Sequence, residues 1–390
     1  MYSQDVYFEN KRNNLNVVLD NTLEEDFQAF LLPLNLVLKF TYYPKFRIKN
    51  GVVLPNNILT NICSFIASLT GIFILALDAY MFYTRKIFIK SSFVNCCCEF
   101  FVYGSGFIVY YIINVLYRNK HVTFILQLQS IHRFLGKGYN LKHIVIWNWM
   151  VILAYEIPYI TCLVVAYCIF SYPLITLIKQ ISIICFEFNI VCVTRLLKLL
   201  IIEAELWNNQ AQRFAQTDFN NSPVFCKRMN EAYVKILECY NIYKSSFQIM
   251  IVFHNVLLFF YILYKLQIAL DVLKISYVHN DSMVNAKAYY MILFLSLWAV
   301  KSLMTEIILS LTCEEFYKSM DKIQSTCVVI LKSNCSDAEK KLCKNIQRLH
   351  RATYSKINVC QMFYIDATFS LKMLALITNN VIIVLQFAFL

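Results

Sequence analysis

Charged side chains within long apolar runs are the residues of this sequence best suited to chemistry. Each is costly in hydrocarbon, so it is expected to face a helix-bundle interior, a water-filled cavity or a partner. For Asp78, Lys265 and Lys301, snorkelling or a position near a boundary is an equal alternative. The whole set is Asp78, Glu99, Glu156, Lys179, Glu187, Lys265, Lys301 and Glu306.

The three deeper carboxylates predict a ligand-binding pocket. Glu99, Glu156 and Glu187 lie on consecutive apolar runs and are expected to line one cavity. The aromatic residues expected beside them are Tyr103, Tyr159, Tyr167, Tyr261 and Trp298. Aromatic walls with a few polar groups suit a small-molecule pocket. The alternative is that each polar residue only forms contacts between neighbouring helices and that each aromatic residue only lies at the membrane interface.

The last apolar run carries a stripe of polar residues. Lys372, Asn379 and Gln386 are seven residues apart, about two helical turns, and therefore share one helix face. Amides facing lipid would be costly, so this face is expected to point inward. In a monomer the stripe would join helices. Repeated around a symmetry axis it would line a pore, with Ile382 and Ile383 as apolar constrictions.

Motifs of the common enzyme classes are missing from the sequence. There is no GxxxxGK[ST], HExxH or GxSxG, and no two of the 6 histidines are three or four residues apart. The 15 cysteines are scattered, and many lie inside apolar runs, so reduced buried thiols are expected. We therefore expect no enzyme activity, no cofactor and no metal site.

Composition indicates the class of protein that must position these residues. Hydrophobic residues make up 59% of the 390 residues, charged residues 15%, and mean hydropathy is +0.53. Soluble domains contain about 45–50% apolar and about 25% charged residues. The chain is therefore predicted to be an all-α polytopic membrane protein. In a membrane protein, the positions of the cations behind the net charge of +12 indicate how the chain is oriented in the bilayer. No nucleic-acid partner is therefore expected.

Seven runs are long enough to span a bilayer, which takes about 20 residues in a helix. An eighth run, 30–40, is short and is expected to skim or partly enter the membrane within an N-terminal segment, 1–57. The seven predicted spans, with ends uncertain by about four residues, are 58–83, 93–117, 145–170, 174–200, 246–268, 289–313 and 370–390.

The distribution of cations predicts the orientation. With a cytosolic N-terminus, the inner segments carry 25 lysines and arginines and the outer segments carry 5. The positive-inside rule therefore predicts a cytosolic N-terminus and, after seven crossings, an extracellular C-terminus.

The inner segments are predicted to form a cytosolic helical layer, with separate solvated stalks as the alternative. Ser336 and Glu339 have capping-box spacing and predict a helix over about 337–360. The expected organisation is a six-helix ligand-binding bundle (58–313), a cytosolic helical segment (314–369) and a pore-lining seventh helix (370–390).

Seven spans with this orientation, ending in Gln386-Phe387, resemble the insect gustatory receptor family. The family signature in the last span is Thr-Tyr, five apolar residues and Gln-Phe. Here Asn379-Asn380 replaces Thr-Tyr, whereas the spacer Val381–Leu385 and the Gln-Phe pair match. The opening stretch FQAFLLPLNLVLKFTYYPKFRIKNG also resembles bitter-type members from moths and butterflies.

The resemblance implies a tetrameric, ligand-gated, non-selective cation channel in the plasma membrane of sensory neurons. The last span would surround the pore, with Gln386 and Phe387 at the gate. The expected ligand is a small tastant, and the resemblance implies a bitter plant compound, although the pocket residues themselves suit plant alkaloids, sugars and amines about equally well. The expected permeant ions are monovalent and divalent cations. Homomeric and heteromeric tetramers with related receptors both remain open.

Two other classes of protein share some of these features. A G-protein-coupled receptor also has seven spans, but its N-terminus lies outside, and the chain has neither a DRY after the third span nor an NPxxY in the seventh. A membrane transporter is expected to have broken helices in matched halves. Only Pro158 interrupts a span here, and its surroundings are not repeated.

Overall fold

The computed structural model describes residues 21–84, 90–136, 140–170, 174–216, 223–279, 282–333, 335–359 and 363–389. Apart from two short hairpins, the regular structure of these residues is helical, which confirms the predicted all-α class. The helices are α1 (Glu25–Phe40), α2 (Ile58–Thr84), α3 (Lys90–Leu116), α4 (Arg118–Leu135), α5 (Lys142–Phe170), α6 (Leu174–Gln216), α7 (Pro223–His279), α8 (Ser282–Lys332), α9 (Asp337–Thr353) and α10 (Ala367–Phe389). The hairpins pair β1 (Arg47–Lys49) with β2 (Val52–Leu54) and β3 (Asn358–Val359) with β4 (Phe363–Tyr364).

Six of the described helices are long and apolar enough to cross a membrane. They are α2, α3, α5, α7, α8 and α10. The predicted span 174–200 lies in α6, which is not among these six. Many large apolar side chains on the candidate spans are exposed, as on α2 with Phe65, Leu69 and Phe73. An exposed apolar surface of this kind suits a lipid environment.

Helix α6 lies at the centre of the molecule. Between Ile183 and Ala204 every side chain is buried except Phe188, Arg195 and Lys198, which are half-buried. It packs against α2, α4, α7 and α8. A helix enclosed by neighbours on several sides is apolar around most of its circumference, so α6 brings its few charged residues into contact with several other helices.

Helices α6, α7 and α8 are longer than a membrane crossing requires. They contain 43, 57 and 51 residues, which corresponds to about 65, 85 and 75 Å, against about 30 Å of hydrocarbon. Their excess lengths pack with α4 and α9 into what we call the distal bundle. Trp207 of α6, for example, donates a hydrogen bond to the Met229 carbonyl of α7 at 2.8 Å. The extensions are therefore packed together and are not separate stalks.

The predicted capping box of α9 is confirmed, but its predicted end is not. The Ser336 hydroxyl accepts from the Glu339 N–H, and the Glu339 carboxylate accepts from the Ser336 N–H. The helix ends at Thr353 and not near 360. Beyond it the chain is extended because α7 and α8 side chains satisfy its backbone: Tyr240 donates to the Ser355 carbonyl at 2.9 Å.

The run 30–40 lies within α1, which has 16 residues. At about 24 Å, α1 is shorter than the hydrocarbon core. It packs against α5 and α6, and Asn148 donates to the Phe30 carbonyl at 3.1 Å. The first 20 residues of the predicted N-terminal segment lie outside the described residues.

Candidate functional site

Three lysines, of which Lys179 is buried and Lys265 and Lys301 are half-buried, connect carboxylates of different helices. Lys179 of α6 lies 2.6 Å from Asp78 of α2 and 2.8 Å from Glu99 of α3. Lys265 of α7 lies 3.2 Å from Glu99. We call Asp78, Glu99, Lys179 and Lys265 the first cluster. It joins four helices and contains two carboxylates and two lysines.

The second cluster consists of Glu156 of α5, Glu187 of α6 and Lys301 of α8. The Lys301 ammonium lies 3.1 Å from Glu156 and 2.5 Å from Glu187. Ser302 also contacts Glu187, with its hydroxyl donating at 3.5 Å. Between them, the two clusters include all helices from α2 to α8 except α4.

The two clusters meet on α6. Lys179 and Glu187 are eight residues apart on this helix, about 12 Å along its axis. Because neighbouring helices surround α6, Lys179 and Glu187 find partners on different neighbours. An ion pair in a low-dielectric interior is stable only if both charges are matched and hydrogen-bonded. Removing one partner would therefore leave an uncompensated charge.

Aromatic rings pack against both clusters. Tyr261 forms an edge contact with Tyr103 at 5.8 Å, and its ring centroid lies 3.7 Å from that of Trp298. The Lys265 ammonium lies 4.5 Å from the centroid of the Tyr261 ring. The Lys301 ammonium lies 4.0 Å from the centroid of the Tyr159 ring. Ammonium groups over ring faces are attracted by the ring quadrupole, so these rings contribute to holding the lysines in place.

The structure brings together seven of the eight residues predicted to bind ligand. The exception is Tyr167, which is half-buried near the end of α5 and makes no ring contact with either cluster among the described residues. Asp78, Lys265 and Lys301 each lie in an ion pair with a residue of another helix. The seven buried residues are Glu99, Tyr103, Glu156, Tyr159, Glu187, Tyr261 and Trp298.

Glu306, the remaining charge in the apolar runs, is buried without an ion pair among the described residues. Its carboxylate accepts from Ser310, one turn further along α8, at 3.2 Å. The other carboxylate oxygen has no hydrogen-bond partner in the described structure.

A buried lysine outside the spans was missed by the sequence analysis. Lys45, in the loop before β1, is 1% exposed and donates to the Asn114 side-chain oxygen at 2.7 Å. No described carboxylate lies within ion-pair distance of it. Burial lowers the pKa of Lys45 to about 7.

A buried histidine–carboxylate pair lies in the distal bundle. His132 Nδ1 of α4 lies 2.7 Å from the Glu203 carboxylate of α6, and both side chains are at most 9% exposed. Burial lowers the pKa of His132, but the hydrogen bond and charge of Glu203 outweigh it, so the pKa is raised. Burial raises the pKa of Glu203 despite the opposing effect of His132.

Helix α10 presents its polar stripe to the surroundings. Lys372, Asn379 and Gln386 are exposed, and none of them forms a side-chain hydrogen bond with a described residue. Ile382 and Ile383 are 48% and 47% exposed. The opposite face, with Met373 and Ile377, is buried. Phe387 lies in α10, and its side chain is outside the described part of the structure.

Helix α10 is the least covered of the six candidate spans. In its most apolar stretch 17% of the residues are buried, against 24% to 44% in the other five. It contacts α7 and α8. The rest of its surface is open to lipid or to another chain.

No protein-family model matches this chain, and no curated protein matches it. Function must therefore be argued from the geometry of the charged clusters and of α10. The resemblance to insect gustatory receptors stays a prediction.

Proposed function

We propose that this chain is a subunit of a ligand-gated, non-selective cation channel of the insect gustatory type. Four copies assemble with α10 around a common axis, and a small tastant binds among the charged clusters and aromatic residues of the other helices. In this arrangement α6 is the seventh crossing, the distal bundle lies in the cytosol and the C-terminus lies outside the cell.

The proposal rests on the exposed polar stripe of α10. Lys372, Asn379 and Gln386 carry donors and acceptors that find no partner among the described residues of their own chain, although the helix around them is apolar. Unsatisfied amides in hydrocarbon cost several kcal/mol each. A water-filled axis shared by several copies supplies the missing partners. Exposed Ile382 and Ile383 then form the apolar constriction between polar rings.

The ligand part of the proposal rests on the buried clusters. Seven charged groups from six helices are held together beside Tyr103, Tyr261 and Trp298. Because polar networks of this kind specify one arrangement of helices, a ligand that changes the pairing changes the packing. Ligand gating requires a change of packing of this kind.

The linker between α9 and α10 provides a route from the ligand site to the pore. Gln248 of α7 donates to the Asn358 carbonyl, and Phe363 stacks on Phe369 at a centroid distance of 4.9 Å. Movement of α7 is thereby transmitted to the start of α10.

The assembly is tested by measuring the mass of the purified particle, which should equal four chains of 45.8 kDa. The pore is tested by recording tastant-evoked currents after expression in oocytes. Gln386→Ala and Asn379→Leu should change ion selectivity or reduce current. Thr378→Val is the matched control, because the Thr378 hydroxyl already donates within its helix to the Leu374 carbonyl at 2.9 Å.

A monomeric particle, or wild-type selectivity in both stripe variants, would remove α10 from the pore. Epitope tags on each terminus test the orientation. Staining of the N-terminal tag on unpermeabilised cells would contradict the channel topology and would favour a G-protein-coupled receptor.

A further inference from the structure

The two buried clusters differ in their balance of charge. The first cluster has two carboxylates, Asp78 and Glu99, and two lysines, each within 3.2 Å of a carboxylate. The second cluster has two carboxylates and only Lys301. Among the described residues Lys301 is the only cation within 4.0 Å of Glu156 or Glu187. With all groups ionised, the second cluster carries one excess negative charge.

Glu156 is the less completely paired of the two carboxylates. Glu156 is 4% exposed, and its Oε2 accepts a hydrogen bond from the Lys301 ammonium. Its Oε1 is buried and has no hydrogen-bond partner among the described residues. Both Glu187 oxygens, by contrast, have a neighbour: Oε1 accepts from Ser302 at 3.5 Å, and Oε2 lies 2.5 Å from the Lys301 ammonium in an ion pair without hydrogen-bond geometry. A buried carboxylate oxygen without a partner is costly and is expected to acquire either a proton or a cationic donor.

The aromatic side chains beside the second cluster suit an organic cation. Tyr159 stacks on Phe294 at a centroid distance of 6.0 Å and also faces the Lys301 ammonium. Phe294, Trp298 and Lys301 are spaced by four and three residues, so they share one face of α8. Aromatic faces beside a carboxylate are the combination that recognises ammonium groups, through cation–π attraction and charge-assisted hydrogen bonds.

We propose that the second cluster binds a protonated amine with an aromatic or apolar body. The ammonium donates to Glu156 Oε1 and supplies the missing positive charge, and the body of the ligand packs against Trp298 and Tyr261. This inference rests on the proposed function, because it assigns a ligand class to the receptor site. The inference predicts that amines bind at this site in preference to sugars and other neutral polar compounds, because a neutral ligand would leave the excess negative charge unbalanced.

The test uses matched pairs of probes that differ only in the charged group. The purified full-length protein in lipid nanodiscs is titrated with tryptamine against tryptophol, and with phenethylamine against 2-phenylethanol. At pH 7 each amine is protonated and each alcohol is neutral. We expect at least one amine to raise the thermal unfolding midpoint and to bind at least tenfold more tightly than its alcohol.

Variants at position 156 test the assigned oxygen. Glu156→Gln removes the excess charge at constant shape and should abolish the preference for the amine, whereas Glu156→Asp keeps the charge and should retain it. The Lys301–Glu187 pair remains in both variants, so both should fold, and the midpoint without probe checks this. Glu205→Gln, at an exposed position of α6, is the matched control.

If the wild-type protein prefers no amine over its alcohol, the inference is overturned. Glu156 is then protonated and needs no cationic ligand. An amine preference that survives Glu156→Gln overturns the assigned position. These outcomes are distinct from failure of the channel proposal. Amine binding without evoked current in oocytes supports the site and contradicts the channel, whereas currents evoked only by neutral ligands support the channel and contradict the ligand class.

Discussion

The Tyr317 hydroxyl oxygen of α8 accepts a hydrogen bond from the backbone N–H of Ile357 at 3.1 Å, in a fully buried position. Ile357 lies in the extended linker between α9 and α10. Its N–H has no helical or sheet partner, so this donor depends on one side chain of α8. The contact ties the start of the last hairpin to a helix that also carries Lys301.

Tyr317→Phe is expected to loosen this linker. The substitution leaves a buried N–H without an acceptor, which costs about 1–3 kcal/mol. Amide hydrogen exchange should accelerate at residues 355–358, with little change in the charged clusters. Tyr364→Phe is the control, since Tyr364 is 52% exposed. Unchanged exchange in the linker would show that Tyr317 does not hold it.

Lys301→Met is expected to be strongly destabilising. It leaves Glu156 and Glu187 buried without the ammonium that pairs with both. Breaking a buried ion pair from one side costs about 3–5 kcal/mol. The measurement is the thermal unfolding midpoint of the purified protein.

Lys318→Met provides the comparison for that experiment. The Lys318 side chain is 75% exposed and lies 4.0 Å from Glu314 on the same helix, so its loss should cost less than about 1 kcal/mol. Equal midpoints for the two variants would mean that the carboxylates of the second cluster are already neutral.

Gly106 and Gly104 of α3 are expected to respond differently to alanine. A Cβ at Gly106 would lie 2.7 Å from the Phe253 ring and 2.9 Å from the Phe186 ring, whereas one at Gly104 would meet nothing within 4 Å. Overpacking typically costs about 1–3 kcal/mol. Gly106→Ala should therefore lower the unfolding midpoint, and Gly104→Ala should change stability by less than about 1 kcal/mol. The reverse order would contradict the close approach of α3 to α6 and α7.

The lowered pKa of Lys45 predicts that the free energy of unfolding rises with pH above neutrality. Its pKa is about 7 in the folded protein, against 10.5 for an ordinary lysine. Between these values the unfolded chain binds more protons than the folded chain, so the free energy of unfolding increases with pH. Lys45→Met should remove this dependence between pH 7 and pH 9, and exposed Lys49→Met should not. A wild-type pH dependence in Lys45→Met would assign it to another group.

Features that depend on a few neighbouring residues were accessible from the sequence. Apolar runs located six helices that can cross a membrane, and the Ser336–Glu339 spacing located the start of α9. The β1–β2 hairpin was missed although its signal is local. Asn50 and Gly51 both have positive φ, 51° and 75°, and Asn-Gly is the dipeptide that two-residue hairpin turns favour.

The sequence alone determined that charged residues lie within apolar helices and that α10 carries a polar stripe, because periodicity and hydropathy are local properties. Only the tertiary structure decided that Lys301 forms ion pairs with two carboxylates, whereas Lys179 and Lys265 form ion pairs with two others. It also decided that the described part of the chain leaves the stripe on α10 uncovered. Both depend on how helices far apart in sequence are rotated and packed against one another, and a single helix does not encode which neighbour it meets.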